Sequence, residues 1–211
     1  MDLSFLGRVY ASLCVRSFLF KDCSCQIFHQ ERLPLRGPAI IVANHCSLID
    51  APVIQLQYPP AMLSSIRPTG SRDFFLAKGW LQYVMARDIM QICFINGGSG
   101  KAAKAGGVDA FAELRQPLAE GNILIYFPQG TRDEGAPFRL GVYHLARSLP
   151  GVPIIPVLLK GTREMHPKGI PFYKMYPYHV SVYVGETFPF DHNLEATEYV
   201  AKLERYVFSL G

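Results

Sequence analysis

The run Ala39-Ile40-Ile41-Val42-Ala43 constrains this chain more than any other stretch. Five apolar residues, three of them β-branched, follow one another without a polar break. Alternation would leave one face of a strand wet. A continuous run needs cover on both faces, as an inner strand has in a sheet flanked by helices. Further strands are expected at Cys25–His29, Asp73–Lys78, Gln91–Ile95, Asn122–Phe127, Pro153–Lys160 and His179–Val184. Helical patterns fall at Ala51–Gln57, Trp80–Met90, Val108–Glu120 and Leu140–Ser148, and Ala196–Leu210 closes the chain as an amphipathic helix. Pro117 is expected to kink its helix or end it early, and Gly121 to stop it. Strands alternate with helices, so the expected class is α/β, a mixed, largely parallel sheet flanked by helices.

A chain of 211 residues is read as one domain with a sizeable core. No stretch of 18 residues is free of charge, so no transmembrane helix of ordinary length is expected. Near the start, Leu3, Phe5, Leu6, Val9, Tyr10, Leu13 and Phe20 fall roughly on one helical face, away from Arg8, Ser12 and Arg16. Residues 1–22 are therefore expected to form an amphipathic, membrane-associating helix, with residues 23–211 as the remaining domain. The plainer alternative is a helix packed on its own core.

The net charge is +4, and residues 67–104 hold six basic residues against two acidic ones. That region suits anionic lipid headgroups or an acidic carrier. No nucleic-acid motif accompanies it, so no nucleic-acid partner is expected. Five cysteines, an odd number with no CxxC pair, argue against a disulfide framework and for a reducing compartment. No histidine spacing fits a metal site.

The chemistry is expected just beyond the apolar runs. His45 and Asp50 follow the first, five residues apart. Transfer of an acyl group from a thioester to an alcohol needs a base for the hydroxyl proton, and a neutral imidazole suits that near neutral pH. A carboxylate on the other ring nitrogen would fix the tautomer and stabilise the imidazolium. Asp50 also reads as a helix cap, which would put Pro52 in the first turn. After the second run come Gln129, Gly130, Thr131 and Arg132, a plausible anion site in which glycine lets backbone approach and guanidinium binds phosphate bidentately. Cys46, beside His45, raises a cysteine-nucleophile hydrolase as a further reading. Adjacent residues on an extended segment point opposite ways, which speaks against it.

Asn44-His45-x-x-x-x-Asp50 resembles the NHxxxxD signature of the glycerolipid acyltransferases, the family of 1-acyl-glycerol-3-phosphate acyltransferase. Phe127-Pro128-Gln129-Gly130-Thr131-Arg132 resembles the FPEGTR block of that family. Val152-Pro153-Ile154-Ile155-Pro156-Val157 is similar to its proline-containing block, and Ala77-Lys78 to its Ala-Lys element. The likeness spans roughly residues 37–161, with the blocks in order. It implies His45 as base, Asp50 as its orienting partner, and Lys78, Gln129, Gly130, Thr131 and Arg132 at the substrate. The implied reaction moves a fatty acyl group from acyl-CoA or acyl-carrier protein to a lysolipid hydroxyl, by default that of 1-acyl-glycerol-3-phosphate. It needs no metal and no cofactor beyond that co-substrate. The implied location is the cytoplasmic face of a membrane, bound peripherally to its lipids.

Two departures bear on specificity. Gln129 stands where the family has glutamate, and Phe94-Ile95-Asn96-Gly97 stands where it has Phe-Ile-x-Arg. An acceptor without phosphate, or a catalytically silent lipid-binding module on the same fold, are the alternatives these departures raise.

Overall fold

The computed structural model describes residues 23–95, 111–133, 135–168 and 178–211. The expected helix at 1–22 lies outside them, as does the glycine-rich stretch 97–100.

Seven strands form one sheet: β1 (Cys23–Phe28), β2 (Ala39–Ala43), β3 (Ile66–Ser71), β4 (Cys93–Ile95), β5 (Ile123–Tyr126), β6 (Ile154–Lys160) and β7 (Tyr178–Val184). Their order across the sheet is β1-β7-β6-β2-β5-β3-β4. Every neighbouring pair is parallel except β6 and β7. The α/β, largely parallel reading holds.

The apolar run of β2 is the middle strand, with β5 on one side and β6 on the other. All five residues are buried. Ala39, Ile41 and Ala43 face a core shared with Ile49, Val53 and Ile54. The last two lie on α1 (Asp50–Gln55). Ile40 and Val42 face the opposite core, formed with α4 (Ala112–Ala119), α5 (Gly141–Ser148) and α7 (Ala196–Phe208) through Leu114, Leu118, Val142, Leu145, Tyr199 and Leu203. Between α1 and α4 lie α2 (Arg72–Ala77) and α3 (Trp80–Val84), and the short α6 (Thr162–Met165) follows β6.

One expectation changes, and one strand is new. Asp73–Lys78, read as a strand, is helical as α2. Its apolar triplet Phe74-Phe75-Leu76 was too short for periodicity to decide. The helix α4 runs through Pro117 to Ala119, and Gly121 at φ +80 then stops the turn as expected. The strand β3 was not foreseen. Pro68 brings no N–H to the ladder, but the Thr69 hydroxyl donates to the carbonyl of Ile125 on β5 at 2.9 Å.

The sheet now places the site. Val42 on β2 is in register with Tyr126 on β5. Both strands run the same way, so the segments leaving them emerge side by side at the carboxyl edge. The chain's connections diverge around β2, the usual place for a site in such a sheet.

Candidate active site

His45 follows β2 and meets Asp50 at the start of α1. His45 Nδ1 lies 2.8 Å from Asp50 Oδ2. The same oxygen accepts the backbone N–H of Cys46 at 2.7 Å and of Ser47 at 2.8 Å. Asp50 is 0% exposed. A carboxylate oxygen can only accept, so Nδ1 at this distance is the donor and carries the imidazole proton. The lone pair is then on Nε2.

The capping reading of Asp50 is corrected by this arrangement. Ile49 occupies the cap position, and no side chain caps the helix. The carboxylate instead reaches back over the loop. Only that half of a Ser47-x-x-Asp50 capping box is present. The Ser47 hydroxyl donates to the carbonyl of His166 at 2.8 Å.

Further contacts hold His45. Asn44 donates from Nδ2 to the Leu159 carbonyl at 3.0 Å and accepts the Leu159 N–H at Oδ1 at 2.7 Å. Phe127 stacks on the imidazole, with ring centres 4.2 Å apart and planes 22° apart. Gln129 accepts the His45 N–H at 2.5 Å and donates to the Ala136 carbonyl at 2.8 Å. The N–H groups of His45, Cys46 and Ser47 are thus all committed within the protein. A developing oxyanion would need donors from elsewhere.

The FPQGTR block forms a tight turn. Gly130 sits at φ +65, and its N–H donates to the Phe127 carbonyl at 3.2 Å. Thr131 donates its hydroxyl to Asp133 at 2.7 Å, and Lys168 pairs with the same carboxylate at 2.5 Å. These two hydrogen bonds, the lysine's first, hold the Asp133 carboxyl below the usual range. Arg132 and Lys78 come together over one ring. Their charged ends lie 5.7 and 5.9 Å from the centre of Phe74 on α2. Among the described residues neither is in a salt bridge.

Sequence reasoning missed three contributors. Arg139 has its guanidinium beside Gly130, about where a Cβ on that glycine would come within 3.5 Å of it. Thr162 lies 3.2 Å from the Cys46 sulfur, and His166 supports Ser47. Thr162 and His166 come from a segment remote in the chain, and only Arg139, a few residues past the FPQGTR block, left a signal that could have been read. Cys46 itself is no thiolate. Burial first, and the Asp50 charge second, push its thiol up to about 11. Among the described residues no group of three or more metal-ligating side chains is present.

A family model described as Acyltransferase matches residues 25–160. The chain belongs to the Acyltransferase family. Within this family it is 26% identical over 174 residues to a 1-acyl-sn-glycerol-3-phosphate acyltransferase of Chlamydomonas reinhardtii, covering 80% of this chain and 48% of that protein. The chain therefore spans about half the length of that relative. It is also 28% identical over 203 residues to the N-acylphosphatidylethanolamine synthase of Arabidopsis thaliana, covering 90% of this chain and 69% of that one. The fold is similar to the crystal structure of the 1-acyl-sn-glycerophosphate (LPA) acyltransferase PlsC from Thermotoga maritima. The TM-score is 0.67 at 21% identity, over 98% of this chain and 79% of that chain. The acyltransferase matches agree with the sequence resemblance, and no helix of the described residues is long and apolar enough to cross a membrane.

Proposed function

We propose that the protein moves a fatty acyl group from the thioester of acyl-CoA or acyl-carrier protein to the free hydroxyl of a lysolipid, by default 1-acyl-glycerol-3-phosphate. The observation that carries this is the His45–Asp50 pair, 2.8 Å apart with the carboxylate fully buried. His45 Nε2 takes the hydroxyl proton as the oxygen attacks the thioester carbonyl. The C–S bond then breaks, and the proton returns to the leaving thiolate. Asp50 keeps the imidazole in the right tautomer and stabilises the imidazolium. Arg132, Lys78 and Arg139 offer the acceptor's phosphate three cations around the FPQGTR turn. Gln129 acts through the backbone it holds. The chemistry calls on the thioester as co-substrate and on no further cofactor. The protein works on lipids at the cytoplasmic face of a membrane, held peripherally.

The test is release of free thiol from acyl-CoA and acyl-carrier protein against a panel of acceptors, with wild type, His45→Ala and Arg132→Gln. Turnover that vanishes in His45→Ala supports the base. A KM for the phosphorylated acceptor raised about tenfold or more in Arg132→Gln supports the anion site, since a charge-assisted hydrogen bond is worth about 1.5–3 kcal/mol. Full activity without His45 overturns the mechanism. Silence of the wild type with every pair would leave a lipid-binding module.

A second reading has its own support. The Arabidopsis relative is named for N-acylphosphatidylethanolamine synthesis, and Asn96-Gly97 stands where an acceptor-binding arginine was expected. An amine acceptor also needs to lose a proton to a base, so His45 would serve it equally. Acylation of an aminolipid in preference to lysophosphatidate would decide for this reading.

A further inference from the structure

The turn joining α2 to α3 stands next to the site. Phe74 on α2 lies under both Arg132 of the FPQGTR turn and Lys78. Phe75 turns inward, where its ring meets Phe94 edge-on at 5.9 Å and closes against Gly70. That contact fixes the rotation of the short helix and sends the next side chain out. Leu76 is 51% exposed. Gly79, at φ +108, then breaks the chain direction, and Trp80 begins α3 with 75% of its surface exposed. Trp80 is the chain's only tryptophan. Among the described residues it has no ring partner.

Among the described residues neither side chain belongs to a core cluster. The small cluster of Ala86, Ile92 and Phe94 is closed by Phe75 and Tyr83 instead. The segment 74–80 holds a lysine and no carboxylate, and residues 67–104 are basic overall. Arg72 is neutralised by Glu113 and Arg87 by Asp88, whereas Lys78 is in no salt bridge among the described residues. An exposed leucine and indole around a lysine with no salt bridge among the described residues match the layering of a bilayer surface. Leucine takes hydrocarbon, the indole takes the interface, and the ammonium reaches the headgroup phosphates.

We propose that the segment Phe74–Trp80 is a membrane-docking element, which inserts Leu76 and Trp80 into an anionic bilayer and sets the His45 site against the headgroup layer. The proposal rests on the lipid acyltransferase reading. The two fit in depth, because the cations over Phe74 would lie at the level where a bilayer holds the phosphate of a lysolipid acceptor. The acceptor hydroxyl could then reach His45 without the lipid leaving the membrane. An acidic carrier protein is the other partner with complementary charge. A carrier, however, has no need of an unpartnered indole and leucine in water.

The full chain carries its own reporter. Trp80 emission is read as vesicles of phosphatidylcholine with phosphatidylglycerol are added, and again with lipids brominated near the top of the acyl chains. The expected result is a shift to shorter wavelength, quenching by the brominated lipid, and a weaker response with phosphatidylcholine alone. In Leu76→Glu, partitioning onto the vesicles falls about tenfold or more, in line with the loss of one buried aliphatic side chain. Its turnover of a water-soluble, short-chain acceptor stays at the wild-type level, which shows that the fold is intact. A chain that sediments with vesicles while Trp80 stays unshifted and unquenched overturns the proposal, since another surface then holds the membrane. A chain that stays off the vesicles overturns it too. So does an emission change that follows acidic carrier protein and not lipid. Failure of the acyltransferase reading looks different: quenched Trp80 with no thiol released from any acceptor.

Discussion

Gln129 Oε1 accepts the backbone N–H of His45 across 84 residues of chain, at 2.5 Å. Its other end donates to the Ala136 carbonyl at 2.8 Å, and the residue is 4% exposed. The amide is a strut between the loop after β2 and the segment leading into α5. With both ends held and the side chain buried, little of it is open to an acceptor lipid. Glutamine fits because it presents an oxygen one way and an N–H the other. An ionised glutamate presents oxygens both ways.

This relationship predicts an order among variants. Gln129→Leu leaves the His45 N–H and the Ala136 carbonyl unpaired and should cost about 1–3 kcal/mol of stability. Its kcat should fall while KM for the acceptor holds, because the base is displaced and the acceptor site is not. Gln129→Glu keeps an oxygen for His45 but sets a second one against the Ala136 carbonyl. Its carboxyl pKa in the folded state should therefore rise above the unfolded value of about 4.3. The stability of this variant is then fully present below that value and declines as pH rises through the folded pKa. Urea unfolding of the three proteins between acid and neutral pH checks both statements. A raised KM with unchanged kcat in Gln129→Leu would put the residue on the acceptor instead.

Charge and geometry separate at Asp50. The three N–H donors all fall on Oδ2, and only the Cys46 thiol faces Oδ1, at 3.9 Å, so an amide oxygen in the Oδ2 place can keep the loop as it is. Asp50→Asn loses the negative charge that offsets the imidazolium. Turnover should fall by roughly 10²–10⁴-fold, in the range general base catalysis supplies. Binding of both substrates should change little. Single-turnover kinetics with matched binding measurements decide it. Near-normal turnover would mean that no imidazolium forms.

The thiol of Cys46 should be a bystander. With its pKa pushed up to about 11, only about one molecule in a thousand is thiolate at pH 8. Iodoacetamide at pH 7.5 should leave activity intact over the time in which an exposed model thiol is consumed. Cys46→Ser should also remain active, its hydroxyl taking over the contact with Thr162. Inactivation that tracks alkylation of Cys46 by mass mapping would revive the nucleophile reading.

What could be read in the chain depended on how local its cause was. β2, β5 and β6 announced themselves because strands buried on both faces must be continuously apolar. The same run ended at His45, so the site followed from the strand. β3 stayed hidden because Ile66-Arg67-Pro68-Thr69-Gly70-Ser71 has neither alternation nor a β-branched run. It is a strand because β5 and β4 pair with it, and because Thr69 supplies a donor beside Pro68. The fixed spacing of His45 and Asp50 was local and legible. The strut from Gln129, the ring of Phe74 beneath Arg132, and the support of Ser47 by His166 each join segments far apart in sequence. No pattern within one segment encodes such a meeting.

Asn44 makes the most exacting of these distant contacts. The β2–β6 pairing ends at Ala43 and Val157. One residue later, the Asn44 amide bonds both the N–H and the carbonyl of Leu159, and so continues the ladder with a side chain. His45 is the next residue, so its entry into the site depends on that clamp. Asn44→Ala should cost about 1–3 kcal/mol, because two buried backbone groups lose their partner. For a chain of this length, each kcal/mol lowers Tm by about 2–4 °C. Turnover should fall further than the unfolded fraction explains, since the base is loosened even in molecules that remain folded. Calorimetry and kcat measured well below the Tm test the two effects separately. If Asn44→Ala loses stability but keeps its kcat, then Gln129, Asp50 and Phe127 suffice to hold His45, and the clamp serves the sheet alone.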